Sequence, residues 1–182
     1  KMASYRLAAL RVDVRNMALH AMADALLGDA EMVLQENAAD LADAKEAEMQ
    51  PSYLDRLRLD MRRISDMAEG LRQTAELPDP LGREDYSVRR PNGLEIRRLH
   101  VPLGVVGMIY EARPNVTADA IGLCLKSGNA VFLRGGSDAL RSNRAISNIL
   151  SHAAYAAGIP EGAIQLLAVK DRAVVDMMIH LT

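Results

Sequence analysis

The sequence predicts an α/β fold in which a helical amino-terminal segment leads into a parallel β-sheet. Residues 3–77 carry helical periodicity without a convincing strand, whereas the last third alternates short apolar runs with helical segments. Hydrophobic residues make up 49% of the chain but aromatic residues only 3%. The core is therefore expected to consist of Ala, Leu, Ile, Val and Met, several of which favour helix.

Charge and cysteine content narrow the classes of partner. The 182 residues include 22 Lys and Arg against 24 Asp and Glu, so no global field attracts nucleic acid or an anionic membrane. Small molecules or other protein chains are the expected partners. The single cysteine cannot form an internal disulfide, and no apolar run approaches the roughly 18 residues needed to cross a bilayer. With no signal-peptide pattern either, we expect a cytoplasmic protein.

Two helix starts can be predicted in the helical segment. Asp29 is placed to cap one helix and Ser52 to cap another, with breaks at Gly28 and at residues 50–52. The prolines of residues 77–82 end the segment. In the helix after Ser52, apolar residues recur every three or four positions, as on a buried helix face. These residues are Leu54, Leu57, Met61, Ile64, Ala68, Leu71 and Ala75.

A β-hairpin is predicted next. Residues 87–98 form two short alternating stretches around Pro-Asn-Gly, a sequence suited to a tight turn. The arginines of this segment could bind phosphate, but on a hairpin we interpret them as a solvated face. The chain then divides into a helical segment at 1–80, a hairpin or linker at 81–100, and a third segment at 101–182.

The third segment has the alternation of βαβ units. Strands are predicted within residues 104–110, 129–134 and 163–169, and helices are predicted to begin near Asn115, Ser137 and Asp171. Because the strands are almost continuously apolar, a parallel sheet covered by helices on both faces is expected. Gly158, followed by Ile159 and Pro160, is typical of the end of a helix.

Ligands of open parallel sheets bind beyond the carboxyl ends of the strands, which directs attention to the turns after Tyr110 and Arg134. The first turn contains Asn115. In the second, two glycines are expected to let the main chain approach a ligand, and Ser137 to open a helix whose free amides favour anions. Alternatively, Asn115 is only a helix cap and Gly-Gly-Ser only a tight turn. Neither GxGxxG nor GxxxxGK[ST] is present, so motif matching alone establishes no nucleotide site.

Cys124 is the one candidate thiol nucleophile. It lies within a predicted helix between two leucines, without a nearby histidine or helix start to activate it, so we interpret it as a structural residue. The four histidines are scattered without ligand spacing. No metal site is expected.

The run Val101–Thr117, which includes Tyr-Glu-Ala-Arg-Pro-Asn-Val-Thr, strongly resembles the gamma-glutamyl phosphate reductase family of the aldehyde dehydrogenase superfamily. The likeness continues through Cys124–Ser137 and Ser142-Asn143. It extends backwards over Asp55–Leu57, Met67–Arg72 and Arg90–Ile96, so nearly the whole chain is covered.

This resemblance implies a Rossmann-like cofactor domain, a catalytic domain and an oligomerisation arm. Residues 81–100 are a candidate part of that arm. It implies that residues 101–182 are part of an NADP-binding domain and that the full-length protein is a homo-oligomer. It also implies a reaction. A cysteine thiolate attacks L-glutamyl 5-phosphate, phosphate leaves, and NADPH reduces the thioester to glutamate 5-semialdehyde in proline biosynthesis.

The resemblance also assigns residues to roles. Asn115 is similar to the asparagine that stabilises the oxyanion, and Arg134 to the basic residue at the adenosine ribose, where its charge would favour NADP over NAD. Arg113 is a candidate contact for substrate phosphate. The cofactor groove is expected to be lined by Ile109, Tyr110, Glu111, Gly135, Gly136 and Ser137.

The family's catalytic cysteine lies downstream of the residues present, and Cys124 matches a different, helical position. We therefore expect the 182-residue chain to be inactive by itself. Two other functions remain open from the residues alone. One is a non-catalytic nucleotide-binding module that uses the same turns, and the other is a helical assembly module formed by residues 3–77.

Overall fold

The computed structural model describes residues 1–169, 171 and 173–180. Its amino-terminal part is helical, as predicted. Five helices precede the first strand: α1 (Met2–Ala8), α2 (Val12–Gly28), α3 (Ala30–Glu46), α4 (Pro51–Leu57) and α5 (Met61–Glu76). No helix among the described residues is both long enough and apolar enough to cross a membrane.

The segment predicted as one helix after Ser52 is in fact two. Asp60 interrupts it, because its side chain accepts a hydrogen bond from the Arg63 amide at 2.8 Å and so caps α5. Met61, predicted to be buried, is 52% exposed at this new helix start. Asp29 occupies the cap position of α3, as predicted, but its side chain makes no capping hydrogen bond. The predicted cap at Ser52 is wrong, because Gln50 precedes α4.

The hairpin is present as predicted. Strands β1 (Glu84–Arg89) and β2 (Glu95–Leu99) pair antiparallel. The turn is closed by a hydrogen bond from the Arg90 amide to the Leu94 carbonyl at 2.8 Å, with Gly93 at a φ of 85°. The hairpin arginines are exposed, in agreement with a solvated face.

A parallel sheet forms the rest of the fold and confirms the predicted α/β class. Strand β4 (Ala130–Arg134) lies between β3 (Val105–Ile109) and β5 (Ile164–Leu166). The crossovers are α6 (Asn115–Lys126) and α7 (Leu140–Ala156), and α8 (Ala173–Ile179) follows β5. At the end of α7, the Ile159 amide donates to the Ala154 carbonyl at 3.0 Å and Gly158 has a φ of 100°, which is the predicted helix stop.

One continuous hydrophobic core joins the amino-terminal helices to the sheet. It includes Leu19 and Leu26 of α2, Leu71 of α5, Ile121 of α6 and Ile146 of α7. On the opposite face of the sheet, Met178 of α8 comes within 3.9 Å of the Cβ position at Gly107. Helices therefore lie on both faces, but β3 keeps Val105 and Ile109 about half exposed, at 45% and 46%.

Candidate active site

The two loops with the predicted site residues lie side by side. Ile109 and Arg134 are partners in the β3–β4 register, and the Tyr110 amide donates to the Arg134 carbonyl at 3.1 Å. Further out, a Cβ added at Gly136 would lie 2.9 Å from the Ala112 amide nitrogen. Parallel pairing therefore brings residues 109–115 and 134–137 together at the carboxyl edge of the sheet.

The two glycines of this loop are packed tightly against other parts of the protein. A Cβ at Gly135 would lie 2.2 Å from Nδ2 of Asn143, and a Cβ at Gly136 would meet the Ala112 backbone. The space left by the missing side chains is occupied by protein atoms. Glycine is needed here because the two loops and α7 approach closely.

Tyr110 joins these elements through its hydroxyl. The Tyr110 and Thr117 hydroxyls are 2.6 Å apart, and the Thr117 hydroxyl donates to Oδ1 of Asn143 at 3.0 Å. Burial raises the pKa of Tyr110 to about 12, so the phenol stays neutral. The sequence did not predict these contacts, because Asn143 is 26 residues from Thr117 and only the fold brings α7 next to α6.

Arg134 ends β4 and is almost fully buried. Its Nη1 donates to the Gly135 carbonyl at 2.7 Å, while its buried Nε has no hydrogen-bond partner among the described residues. Side chains alternate along a strand, so Arg134 lies on the face of Phe132 and of its register partner Ile109. This is the open face of β3.

The helical segment begins at Ser137, as predicted, but its first turn is not α-helical. Ser137 starts a short 3₁₀ turn at Ser137–Ala139, and α7 begins at Leu140. The buried carboxylate of Asp40 accepts hydrogen bonds from the Ser142 amide at 2.8 Å and the Ser142 hydroxyl at 2.7 Å. The anion at this helix terminus is therefore a side chain of the protein itself.

Asn115 is the first residue of α6 and does not cap it. Pro114 occupies the cap position, and no side-chain capping bond is made. The Asn115 side chain instead interacts with Asp119, one turn further along the helix. Desolvation raises the pKa of that carboxyl group above its ordinary value, and Asn115 opposes part of this rise. The Asn115 carboxamide therefore lies at the sheet edge and makes no capping hydrogen bond to the backbone of α6.

Asn115 lies in a groove of about 450 Å³ between the α4–α5 corner and the start of α6, which we term the charged groove. Arg113 lies in the same groove, whereas Arg134 does not. The charged groove is lined by Asp55, Arg56, Arg58, Arg63, Asp66, Met67, Arg113, Asn115 and Asp119. Asn115 and Arg134 therefore lie on the two neighbouring loops at the carboxyl edge of the sheet.

Glu111 is exposed, and its carbonyl accepts a hydrogen bond from the Arg113 amide at 2.8 Å. Cys124 is only 7% exposed and belongs to the core shared by α2, α5 and α6. Burial raises the pKa of its thiol to about 11. A thiol with that pKa is protonated at neutral pH, which agrees with the structural interpretation of this residue.

The residues at the open face suit a nucleotide cofactor. Arg134 offers a permanent positive charge and one buried donor without a protein partner, and Ile109 beside it offers a half-exposed apolar surface. A dinucleotide combines anionic phosphates with flat apolar rings, so it matches this pair of features.

Comparison with known proteins identifies the family. The model of the aldehyde dehydrogenase family matches residues 8–181. A gamma-glutamyl phosphate reductase of Thermoanaerobacter sp. (strain X514) is 54% identical over 181 residues, which are 100% of this chain and 44% of that protein. The corresponding reductase of Moorella thermoacetica is 55% identical over 174 residues, covering 96% of this chain and 42% of that protein.

Solved structures agree with this assignment. The gamma-glutamyl phosphate reductase of Thermotoga maritima superposes with a TM-score of 0.96 at 38% identity, covering 99% of this chain and 44% of that one. The Saccharomyces cerevisiae enzyme gives a TM-score of 0.84 at 31% identity, covering 94% and 44%. A probable aldehyde dehydrogenase of Listeria monocytogenes, at 19% identity, shares the fold with a TM-score of 0.74 and covers 100% and 37%.

The chain spans less than half the length of these relatives. Its likeness to gamma-glutamyl phosphate reductases nevertheless covers all of it, and the resemblance found in the sequence is confirmed. On the family match and the shared α/β architecture, this chain belongs to the aldehyde dehydrogenase family.

Proposed function

We propose that this chain forms the cofactor-binding and oxyanion-stabilising part of an enzyme that reduces L-glutamyl 5-phosphate to L-glutamate 5-semialdehyde with NADPH. Phosphate is released, and the reaction is the second step of proline biosynthesis. The observation that carries the proposal is the position of Asn115. Its carboxamide lies beside Arg113 in the charged groove, at the sheet edge where Arg134 ends β4. The identity to gamma-glutamyl phosphate reductases supports the substrate.

Each residue has a role that its chemistry permits. The Asn115 amide donates to the carbonyl oxygen as negative charge develops there, and Arg113 binds the phosphate that leaves. NADPH supplies the hydride when bound. Because Cys124 is buried and protonated, the attacking cysteine belongs to the part of the longer relatives that this chain does not span. The 182-residue chain is then inactive by itself.

Arg134 selects the phosphorylated cofactor in this proposal. A fixed guanidinium charge favours the 2′-phosphate that distinguishes NADPH from NADH. The test is a fluorescence titration of both cofactors against the wild type and Arg134→Ala, with Arg98→Ala on the exposed hairpin as the matched control. NADPH affinity should fall while NADH affinity changes little. An unchanged NADPH affinity would remove Arg134 from the site.

The protein is proposed to be a cytoplasmic homo-oligomer at full length, with the hairpin in its oligomerisation arm. Tyr86, Leu94 and Leu99 are about half exposed on this hairpin, at 50%, 56% and 49%, and exposed apolar residues on an edge favour association. Sedimentation of the gene product with and without Tyr86→Lys and Leu99→Lys tests this. If both variants keep the oligomeric state of the wild type, the hairpin does not take part in oligomerisation.

The reaction is tested most simply in reverse. The gene product that contains residues 1–182 is mixed with glutamate 5-semialdehyde, inorganic phosphate and NADP⁺, and NADPH absorbance is followed. Phosphate-dependent NADPH formation is expected from the gene product but not from residues 1–182 alone. If the gene product binds NADPH tightly and never turns over, the alternative of a non-catalytic nucleotide-binding module is supported instead. The packing does not favour the alternative of a helical assembly module, because α6 and α7 already cover the apolar faces of α2 and α5.

A further inference from the structure

We propose that the charged groove binds the amino-acid head of the substrate, with Arg58 receiving the α-carboxylate and Asp66 receiving the α-ammonium. This inference rests on the proposed function and names the residues that would make the enzyme selective for a glutamyl group. Three features of the groove support it: the rigid corner that carries Arg58, the charges left unpaired, and the face of α5 that carries Asp66.

The α4–α5 corner is held by Arg63. Its Nη1 donates to the carbonyl oxygens of Asp55 and Arg58, each at 2.5 Å, and its Nη2 donates to Oδ1 of Asp55 at 3.2 Å. The Asp60 cap fixes the same turn from the other side. Arg58 therefore projects from a backbone that is already ordered, so binding a ligand costs little further entropy in the main chain.

Most charges of the groove are already paired. Arg63 is satisfied by the corner, Arg56 lies over the Tyr53 ring at 5.9 Å with its Nε on the Ser52 carbonyl, and Asp55 accepts from Arg63. The Asp119 side chain interacts with that of Asn115.

Three charged side chains of the groove remain without a partner among the described residues: Arg58, Arg113 and Asp66. These are two cations and one anion. Glutamyl phosphate carries the complementary set, because its phosphate and α-carboxylate are anionic and its α-ammonium is cationic. Arg113 is two residues from Asn115 and so suits the phosphate next to the reacting carbonyl. Arg58 and Asp66, which lie on the other wall, are left for the head group.

Asp66 is on the face of α5 that meets α6. Gly70 lies one turn after Asp66 on the same side of the helix, and its Cβ position is 4.0 Å from Oδ1 of Asp119. Met67 beside Asp66 is 4% exposed and forms an apolar floor. An ammonium group held by Asp66 would thus sit over an apolar surface, with the aliphatic chain of the substrate pointing towards Asn115.

The test uses the full gene product and the reverse assay, in which the aldehyde and phosphate are varied separately. Arg58→Gln and Asp66→Asn should each raise the KM for glutamate 5-semialdehyde about tenfold or more, with little change in the KM for phosphate. Arg113→Gln should raise the KM for phosphate and change the KM for glutamate 5-semialdehyde little. Arg62→Gln, an exposed arginine of α5 outside the groove, is the matched control and should change neither constant.

A second readout separates head-group recognition from a structural effect. L-Glutamate and glutarate differ only by the ammonium, so wild-type protein should be inhibited better by L-glutamate, and Asp66→Asn should abolish that preference. The inference is overturned if both KM values rise together in the Arg58 and Asp66 variants, or if the inhibitor preference persists. If the wild type itself does not oxidise the semialdehyde, the proposed function fails and this inference fails with it. If the wild type turns over and the Arg58 and Asp66 variants have its KM for glutamate 5-semialdehyde, only the head-group assignment is refuted.

Discussion

Gly136 lies so close to Ala112 that a methyl group added at Gly136 would be 2.9 Å from the Ala112 amide nitrogen. The atom it meets belongs to the backbone, which cannot turn away as a long side chain can. The loop after β4 is thereby fixed against the loop that carries Asn115. The relative position of the proposed cofactor and oxyanion residues depends on this contact.

Gly136→Ala should therefore destabilise the protein by about 1–3 kcal/mol, the usual cost of forcing extra volume into a packed site. Chemical denaturation measures the change. The matched control is Gly28→Ala at the end of α2, where an added Cβ meets no atom within 4 Å. If the two substitutions have the same effect, the loops are not locked together at Gly136.

Asn37 connects α3 to the α4–α5 corner inside the protein. Its Nδ2 donates to the Leu57 carbonyl at 2.9 Å, and its Oδ1 accepts from the Leu59 amide at 2.7 Å. Asn37→Ala leaves both buried backbone groups unpaired, and the free energy of unfolding should fall by about 2–4 kcal/mol. Asn148→Ala on the exposed side of α7 should change it little. A small loss at Asn37 would mean that water replaces the amide.

Arg15 is a buried cation that depends on Asp79. It is 2% exposed, its Nη2 donates to Asp79 at 2.7 Å, and its Nη1 donates to the Lys126 carbonyl. Asp79→Asn should cost about 2–3 kcal/mol of stability, because an uncompensated charge stays buried. Asp24→Asn breaks the exposed pair with Arg72 and should cost about 0–1 kcal/mol. Thermal melts of the two variants should differ clearly, and equal melting temperatures would contradict the argument.

Cys124 should be unreactive in the folded protein. Burial raises its pKa to about 11, so the thiolate, which is the reactive form, is scarce at neutral pH and increases only as pH approaches that value. Iodoacetamide should label it slowly at pH 8 and rapidly after unfolding in guanidinium. Fast labelling of the native protein, with the rate levelling off near neutral pH, would show an activated thiol and reopen its role as nucleophile.

The sequence anticipated those parts of the fold that local patterns encode. The apolar runs that became β3, β4 and β5, the hairpin turn at Pro-Asn-Gly and the helix stop at Gly158 each depend on residues adjacent in the chain. The split between α4 and α5 was missed because the apolar spacing from Leu57 to Ile64 fits a continuous helix. The α4–α5 corner is revealed only by contacts in the structure, namely the Asp60 cap and the hydrogen bonds of Arg63.

The site was harder to foresee, because its determinants come from separate parts of the chain. Asp40 of α3 occupies the amides that seemed free at the start of α7, and Asn143 fills the space beside Gly135. Both glycines were identified as special positions, but their close contacts with other elements depend on residues distant in the sequence. Several residues that line the charged groove with Asn115 come from α4 and α5, and no local sequence pattern predicts that these helices lie beside Asn115.

The proposed reaction depends most on Asn115 as the donor to the developing oxyanion. The measurement is the kcat of the gene product carrying Asn115→Ala, with the KM for NADP⁺ and phosphate determined in parallel. A fall in kcat of about 10²–10³-fold with both KM values nearly unchanged is expected for a lost oxyanion donor. A variant that turns over at the wild-type rate would contradict the assignment of this groove as the active site.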